Sequence, residues 1–172
     1  MIEEKIVAQK QSVRTNASAL LDADMQDVRT FLREVRHSYL YTQVLCERAE
    51  RYREMATKAT SRADALRTSG TPDRSKVETY VLEMVDVHDE LKRATEKLME
   101  KSRKAEKVIN LLEDQRYRAV LQLRYLCGMK WEEMPEKLHY SPRWVHKMHR
   151  EALNMLELMQ RRERIMNGYV EN

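Results

Sequence analysis

The sequence is poor in the residues that make tight turns. Glycine and proline each occur three times in 172 residues, which is less than a third of their combined average usage of roughly 12%. Strand-rich sandwiches and barrels, and folds with glycine-rich nucleotide loops, need frequent tight turns. The scarcity of turn-forming residues therefore predicts an all-α protein made of long helices.

Cysteines and long apolar runs are also scarce. The two cysteines, Cys46 and Cys127, are too few for a disulfide framework. Thiols of this kind are usually small buried apolar groups, so we expect both to be buried and without a redox or nucleophilic role. No stretch approaches the roughly 18 apolar residues that a membrane helix needs, and the N-terminus has no apolar signal core. The sequence predicts a cytoplasmic protein without a membrane partner.

The basic excess lies in the last third of the chain. Lysine and arginine number 32 against 28 acidic residues, which gives a formal net charge of +4. Up to Gln115 the two signs balance at 21 each, whereas 116–172 holds 11 basic and 7 acidic residues. A neutral region followed by a basic end is typical of a scaffold joined to a module that binds a polyanion. Ordinary surface composition would explain the same excess.

Apolar spacing predicts a long helix in the first half of the chain. One stripe with steps of three and four residues runs from Val28 to about Leu66, which is the pattern of a helix with one apolar face. Its members are Val28, Leu32, Val35, Tyr39, Thr42, Cys46, Ala49, Ala56 and Ala63. A turn is expected near 68–75, where glycine and proline occur together, and Ser75 and Glu78 have capping-box spacing.

A heptad repeat follows the turn and predicts a second long helix. The repeat consists of Val77, Met84, Leu91, Leu98, Ala105 and Leu112, interleaved with Tyr80, Val87, Ala94, Lys101 and Val108. Two stripes of similar length predict an antiparallel, coiled-coil-like helical hairpin over 28–110, preceded by a short helical or frayed segment at 1–27. The hairpin could also pair with a second copy of the chain or with another protein.

The pattern after the hairpin predicts a helix-turn-helix domain at 111–160, with a tail at 161–172. A helix over 117–126 ends near Gly128, which suits a helix C-cap, and a short helix is expected over 131–138. A three-residue turn follows, then a final helix in which Ser141 is the N-cap and Pro142 the first residue. This order of elements, in which a helix is followed by a short helix, a turn and a basic helix, is typical of a helix-turn-helix domain.

The final helix separates its charged and apolar side chains. At 100° per residue, Trp144, Val145, Met148 and Ala152 fall within about 100° of one another. The opposite face carries Arg143, His146, Lys147 and Arg150. No acidic residue occurs in 142–150. Such a face can bind phosphates, and its arginines can donate two hydrogen bonds to guanine edges in the major groove.

The segment 111–156 resembles region four of bacterial sigma factors, the module that reads the −35 promoter element. The resemblance rests on LRYL at 123–126, WEEM at 131–134 and the stretch 141–153. With the hairpin included, the chain also resembles phage and prophage late transcription activators of the RinA and ArpU kind. The resemblance implies a DNA-binding transcription regulator that binds double-stranded promoter DNA through Pro142, Arg143, His146 and Lys147; the helical wheel adds Arg150. RNA polymerase and a second copy of the chain are the further expected partners.

Three residues depart from the sigma pattern. Pro142 replaces a position that is often polar, which removes one possible phosphate or base contact. Pro135 would be the fifth residue of the short helix, where it would remove a backbone hydrogen bond and bend the helix. His139 occupies a turn position that often holds glycine or asparagine, and histidine tolerates a left-handed backbone better than most residues.

Other functions have weaker support in the sequence. His146 and His149, with Cys127, could hold a metal, but no further ligand completes the set, so we expect no metal and no cofactor. There is no phosphate-binding loop, nucleophile elbow or paired-carboxylate site, so we expect no catalytic residues and no enzymatic activity. Two alternatives stay open. One is a small-terminase-type DNA-packaging protein, and the other is a coiled-coil adaptor that binds protein and not DNA.

Overall fold

The part of the chain that the structure describes consists of helices joined by short turns. This computed structural model describes residues 27–65 and 74–166, which contain no strand. The helices are α1 (Val28–Ala65), α2 (Arg74–Ile109), α3 (Gln115–Leu121), α4 (Met134–Leu138) and α5 (Pro142–Met166); α3 continues as a π-helical segment, Gln122–Leu126. The predicted all-α fold is confirmed. The predicted segment at 1–26, most of the interhelical turn, the Ser75 side chain and the end of the tail lie outside the described residues.

The chain divides into two compact units, and both long helices run through both of them. The first unit contains residues 27–39 and 100–166, and the second contains 40–65 and 74–99. None of the described helices combines the length and apolar character that a membrane crossing requires.

Helices α1 and α2 are antiparallel, as the apolar stripes predict. In the second unit Tyr41 contacts Glu90 while Arg48, two turns later on α1, lies 3.9 Å from Glu83, which is earlier on α2. The predicted heptad positions are all buried or half-buried. The polar position of the heptad, Lys101, belongs to the first unit. Its Nζ lies 3.3 Å from a carboxylate oxygen of Glu34 on α1.

Both cysteines are exposed, which corrects the expectation that they are buried. On α1 the stripe passes through Leu45, which is 2% exposed, and leaves the neighbouring Cys46 in solvent. Leu45 and Cys46 lie three and four residues after Thr42, the preceding member of the stripe, so either residue fits the spacing. Leucine has the larger apolar surface to remove from water, so the helix faces α2 with the leucine.

The core of the first unit brings together the helices that hold α5, the helix with the predicted basic face. One cluster combines Val28, Leu32, Ile109, Leu121 and Leu156, among others, from α1, α2, α3 and α5. A second cluster consists of Val120, Met134, Val145 and Met148 and holds α3, α4 and α5 together. The ends of the long helices are therefore part of the same core as α3 and α5.

Candidate nucleic-acid interface

The turn before α5 has the left-handed residue that its sequence suggests. His139 has φ 57° and ψ 39°, and it is the only non-glycine residue with positive φ among those described. The Tyr140 N–H donates to the Pro135 carbonyl at 3.1 Å, which closes the turn across His139. The expectation that histidine accepts this backbone conformation is confirmed.

Helix α5 begins at a serine cap, as predicted. The Ser141 Oγ accepts a hydrogen bond from the Trp144 N–H at 3.3 Å, and the Ser141 carbonyl accepts from the Val145 N–H at 3.0 Å. Pro142 is the first residue of the helix, where the missing N–H costs no intrahelical bond.

The short helix α4 begins three residues later than predicted. Its first residue is Met134, not Trp131, and Glu133 occupies the N-cap position. Pro135 therefore lies in the first helical turn, where no intrahelical hydrogen bond is lost, and the predicted bend at a fifth helical position is wrong. The preceding turn is stabilised by the Glu133 carboxylate, which accepts from the Lys130 N–H at 3.1 Å.

All five predicted DNA-binding residues lie on the exposed side of α5. They are Pro142, Arg143, His146, Lys147 and Arg150. The opposite side is buried, with Val145, Met148 and Ala152 at most 2% exposed. Trp144, which the wheel places at the boundary, is 38% exposed. Because the apolar side packs on α3 and α4, the basic side has a fixed orientation on the domain.

The exposed cations differ in their local partners. The Lys147 Nζ lies 3.8 Å from a Glu151 carboxylate oxygen and 4.8 Å from the centre of the Trp144 ring. Glu151 also accepts a hydrogen bond from the Tyr117 hydroxyl at 3.0 Å. Arg143 makes no hydrogen bond or ion pair with any residue that the structure describes, and neither does Arg150. Their guanidinium groups are consequently available to an anion.

Trp131 connects this basic surface to the π-helical segment. Its ring centre lies 4.3 Å from that of His146 and 4.8 Å from that of His149. The Arg124 guanidinium carbon lies 4.3 Å from the centre of the same ring, at cation–π distance. The sequence places Trp131 only as the first residue of a short helix, and it gives no role to Arg124. The sequence gives one local signal for both residues: Arg124 precedes, and Trp131 follows, the predicted helix end near Gly128.

The end of the π-helical segment holds Arg124 in position. The Cys127 N–H donates to the Gln122 carbonyl at 3.0 Å, an i to i−5 bond. Gly128 follows with φ 64°, which confirms the predicted C-cap. A Cβ at Gly128 would overlap the ring of Tyr39, so the position needs glycine for space as well as for its backbone. Beyond it, the Met129 carbonyl accepts a hydrogen bond from Arg124 Nη1 at 2.9 Å.

His149 is half-buried and neutral. Its Nε2 is 3.0 Å from the Tyr125 hydroxyl, and its ring lies perpendicular to that of Trp131. Burial lowers the pKa of His149 to about 4, and the charges of Arg124 and Arg29 act in the same direction. The ring therefore packs as an uncharged aromatic at neutral pH. Over the described residues, no group of three or more histidine, cysteine or acidic side chains could hold a metal ion.

Comparison with known proteins assigns the chain to a family. No curated protein and no solved structure matches it. A family model described as "Protein of unknown function (DUF1492)" matches residues 57–157, which is more than half of the chain and includes α2, α3, α4 and the basic face of α5. The chain belongs to the DUF1492 family.

Proposed function

We propose that the protein is a sequence-specific DNA-binding transcription regulator, of the phage or prophage activator type, with a sigma-like helix-turn-helix. One observation carries the proposal: the exposed side of α5 presents three permanent cations and His146, without an acid in 142–150, at the start of a helix that follows a tight turn. In helix-turn-helix proteins the N-terminal residues of this second helix contact base edges.

The two free arginines suit the reading of bases. Arg143 and Arg150 keep all five guanidinium N–H groups unpaired within the described structure, so each can donate two hydrogen bonds to guanine or to a phosphate. Lys147 already has Glu151 nearby and acts more as a point charge. A module with so few cations binds DNA with modest affinity, and pairing through the hairpin or contact with RNA polymerase would add to it.

The test compares a double variant with a charge-matched control on the same helix. Arg143→Ala with Lys147→Ala removes two cations of the proposed face, and Arg161→Ala with Arg162→Ala removes two exposed cations further along α5. Binding to duplex fragments is measured by fluorescence anisotropy at two salt concentrations, with circular dichroism to show that helix content is preserved. We expect the first variant to lose about 10- to 100-fold in affinity and most of its selectivity between sequences, and the control to change little.

Three outcomes would contradict the proposal. Equal affinity in the double variant and the wild type would remove the assigned face. Absence of duplex binding by the wild type at low salt would favour the adaptor that binds only protein. Ring-shaped assemblies of about eight or more chains that bind DNA without promoter selectivity would favour the small-terminase-type packaging protein.

A further inference from the structure

Both tryptophans of the chain lie beside the basic face of α5, and each of them holds a cation. The two residues are Trp131 and Trp144. The Lys147 Nζ lies 4.8 Å from the centre of the Trp144 ring, and the Arg124 guanidinium carbon lies 4.3 Å from the centre of the Trp131 ring. Both distances are typical of a cation–π interaction. A cation held on a ring has fewer side-chain conformations than one free in solvent, so each charge has a defined position before any ligand binds.

The two tryptophan–cation pairs lie on opposite sides of the basic face. Around the axis of α5, Trp144 projects about 100° to one side of Arg143, whereas His146 projects about 60° to the other side. The ring of Trp131 covers this second side, because its centre lies 4.3 Å from that of His146. Arg150 projects within about 20° of Arg143. The two arginines of the face therefore have an aromatic ring with a cation on each side of them.

The width of the major groove directs these two sides towards the DNA backbone. An α-helix with its side chains is about 10–12 Å across, and the major groove of B-DNA is about 12 Å wide. A helix whose arginines point at the base edges therefore has its lateral sides against the walls of the groove, which consist of sugar and phosphate. A tryptophan ring has an apolar surface that can pack on a deoxyribose, and the cation on the ring can bind the adjacent phosphate.

Both cations have N–H groups available for a phosphate. Lys147 is exposed, and its distance of 3.8 Å from a Glu151 oxygen is longer than a hydrogen bond. Arg124 is half-buried and donates one N–H to the Met129 carbonyl. Its other N–H groups make no hydrogen bond within the described structure. No nitrogen of Arg124 is both closed to solvent and without a partner, so these N–H groups are open to a ligand.

We propose that the two tryptophan–cation pairs contact the two DNA backbones that border the major groove, one pair on each strand. Trp144 packs on a deoxyribose of one strand, and Lys147 binds the adjacent phosphate. Trp131 and Arg124 make the same contacts on the other strand. The inference rests on the proposed function. These contacts position α5 in the groove and carry no sequence information directly, whereas the arginines between them lie where base edges are read.

The experiment maps the backbone contacts on a duplex that the wild type selects from a random pool. Each phosphate in turn is replaced by an uncharged methylphosphonate, and fluorescence anisotropy measures the affinity of the wild type, Lys147→Met and Arg124→Met. Methionine keeps an apolar stem on the ring and removes the charge. We expect the wild type to be sensitive on both strands. Lys147→Met should lose the sensitivity on one strand and Arg124→Met on the other, and each should lower the slope of log affinity against log salt by about 0.9, the value for one phosphate.

Trp144→Leu tests the aromatic ring without a change of charge. It should bind every duplex about tenfold more weakly and leave the ratio between preferred and random sequences unchanged, because the contact is with sugar. Leu158→Ala, at an exposed position further along α5, is the control for lost apolar surface, and Arg161→Met is the control for one lost charge. Arg124→Lys keeps the charge and should keep the salt slope. Circular dichroism and thermal melting show which variants are folded.

The outcomes distinguish the inference from the function beneath it. A wild type that does not bind duplex DNA overturns both. A wild type that binds, with a phosphate map that Lys147→Met and Arg124→Met leave unchanged, overturns only the backbone contacts. A loss in Trp144→Leu that is confined to duplexes with thymine, and that disappears when uracil replaces thymine, shows that the ring reads a base methyl group and also overturns them. Loss of sensitivity on the same strand in both charge variants overturns the placement of one pair on each strand.

Discussion

The two compact units use the same pair of long helices in different ways. In the first unit α1 and α2 end inside a core with three further helices, and nearly all the buried apolar residues of the described chain belong to it. In the described part of the second unit the same helices pack on each other, and among the residues there whose burial is known just Leu45 and Val87 are buried. Its large exposed apolar residues are Tyr41, Val44, Met55, Val81, Leu82, Val85 and Met99.

The contrast shows that burial depends on the number of neighbours and not on the helical pattern alone. Both parts of α2 carry the same heptad, yet Ala105 and Val108 in the first unit are fully buried, whereas Tyr80 and Met84 in the second unit are only half-buried. Two helices form a single layer, and a single layer leaves part of each apolar stripe in water. We therefore expect the first unit to carry most of the free energy of unfolding and the second to gain stability from a partner.

The largest expected effect is the loss of stability when a buried leucine of the first unit is truncated. An exposed leucine of the second unit provides the comparison. Leu121→Ala removes a fully buried side chain from the core of the first unit and should lower the free energy of unfolding by about 3 to 5 kcal/mol. Leu82→Ala removes a side chain that is 66% exposed and should cost less than about 0.5 kcal/mol in the monomer.

Urea unfolding followed by tryptophan fluorescence tests the first variant, because Trp131 and Trp144 both lie in the first unit. Circular dichroism follows the second. Equal losses in the two variants would contradict the distinction between the units. A large loss for Leu82→Ala that grows with protein concentration would show that the exposed stripe is buried in an oligomer.

Acidification should weaken the first unit through His149. The unfolded chain has a histidine pKa near 6.5, whereas the folded pKa is about 4. Between these values the unfolded state binds more protons, so stability is complete above about pH 6.5 and falls as the pH approaches 4. The difference corresponds to about 3 kcal/mol.

His149→Gln removes the titrating group and can keep the hydrogen bond to Tyr125. We expect this variant to lose about 3 kcal/mol less than the wild type between pH 7 and pH 4, as measured by denaturant unfolding at each pH. His37→Gln, at an exposed position of the same unit, is the control and should follow the wild type. Parallel profiles for His149→Gln and the wild type would refute a neutral His149 with a lowered pKa.

A smaller effect is expected at Gly128. Gly128→Ala places a Cβ against the Tyr39 ring and on a backbone with φ 64°, and it should cost about 2 kcal/mol. Gly128→Asn separates the two causes, since asparagine tolerates the left-handed region but carries the same Cβ. If Tyr39 simply moves aside, Gly128→Asn will unfold at the temperature of the wild type; if the overlap matters, both variants will melt lower.

The sequence predicts the parts of the fold that depend on local chemistry. The helix cap at Ser141, the left-handed residues Gly128 and His139, and the heptad of α2 follow from short-range rules, and the structure confirms them. The exposed basic face of α5 follows from helical periodicity alone. That this face binds DNA stays a prediction.

The contacts that organise the site were beyond the reach of local rules. Trp131 contacts Arg124 of the π-helical segment and His146 of α5, and no short motif joins these three residues. The choice of Leu45 over Cys46 depends on one step of helical register, which an apolar pattern with steps of three or four leaves open. The start of α4 at Met134 follows a turn over 130–133, in which the Glu133 carboxylate accepts from the Lys130 N–H, and the apolar pattern does not indicate this turn.

The π-helical segment Gln122–Leu126 has a consequence for changes in chain length. A π-turn holds one residue more than an α-turn, so everything after it is rotated by about 100° relative to an unbroken helix. That rotation is compatible with a buried Tyr125 beside His149 while Arg124 reaches Trp131. Deleting a single residue here would restore an ordinary helix and leave the following turn in its present orientation, because the residue removed is the extra one of the π-turn. The segment is thus a place where the chain can change its length by one residue without rotating the turn and the helices that follow.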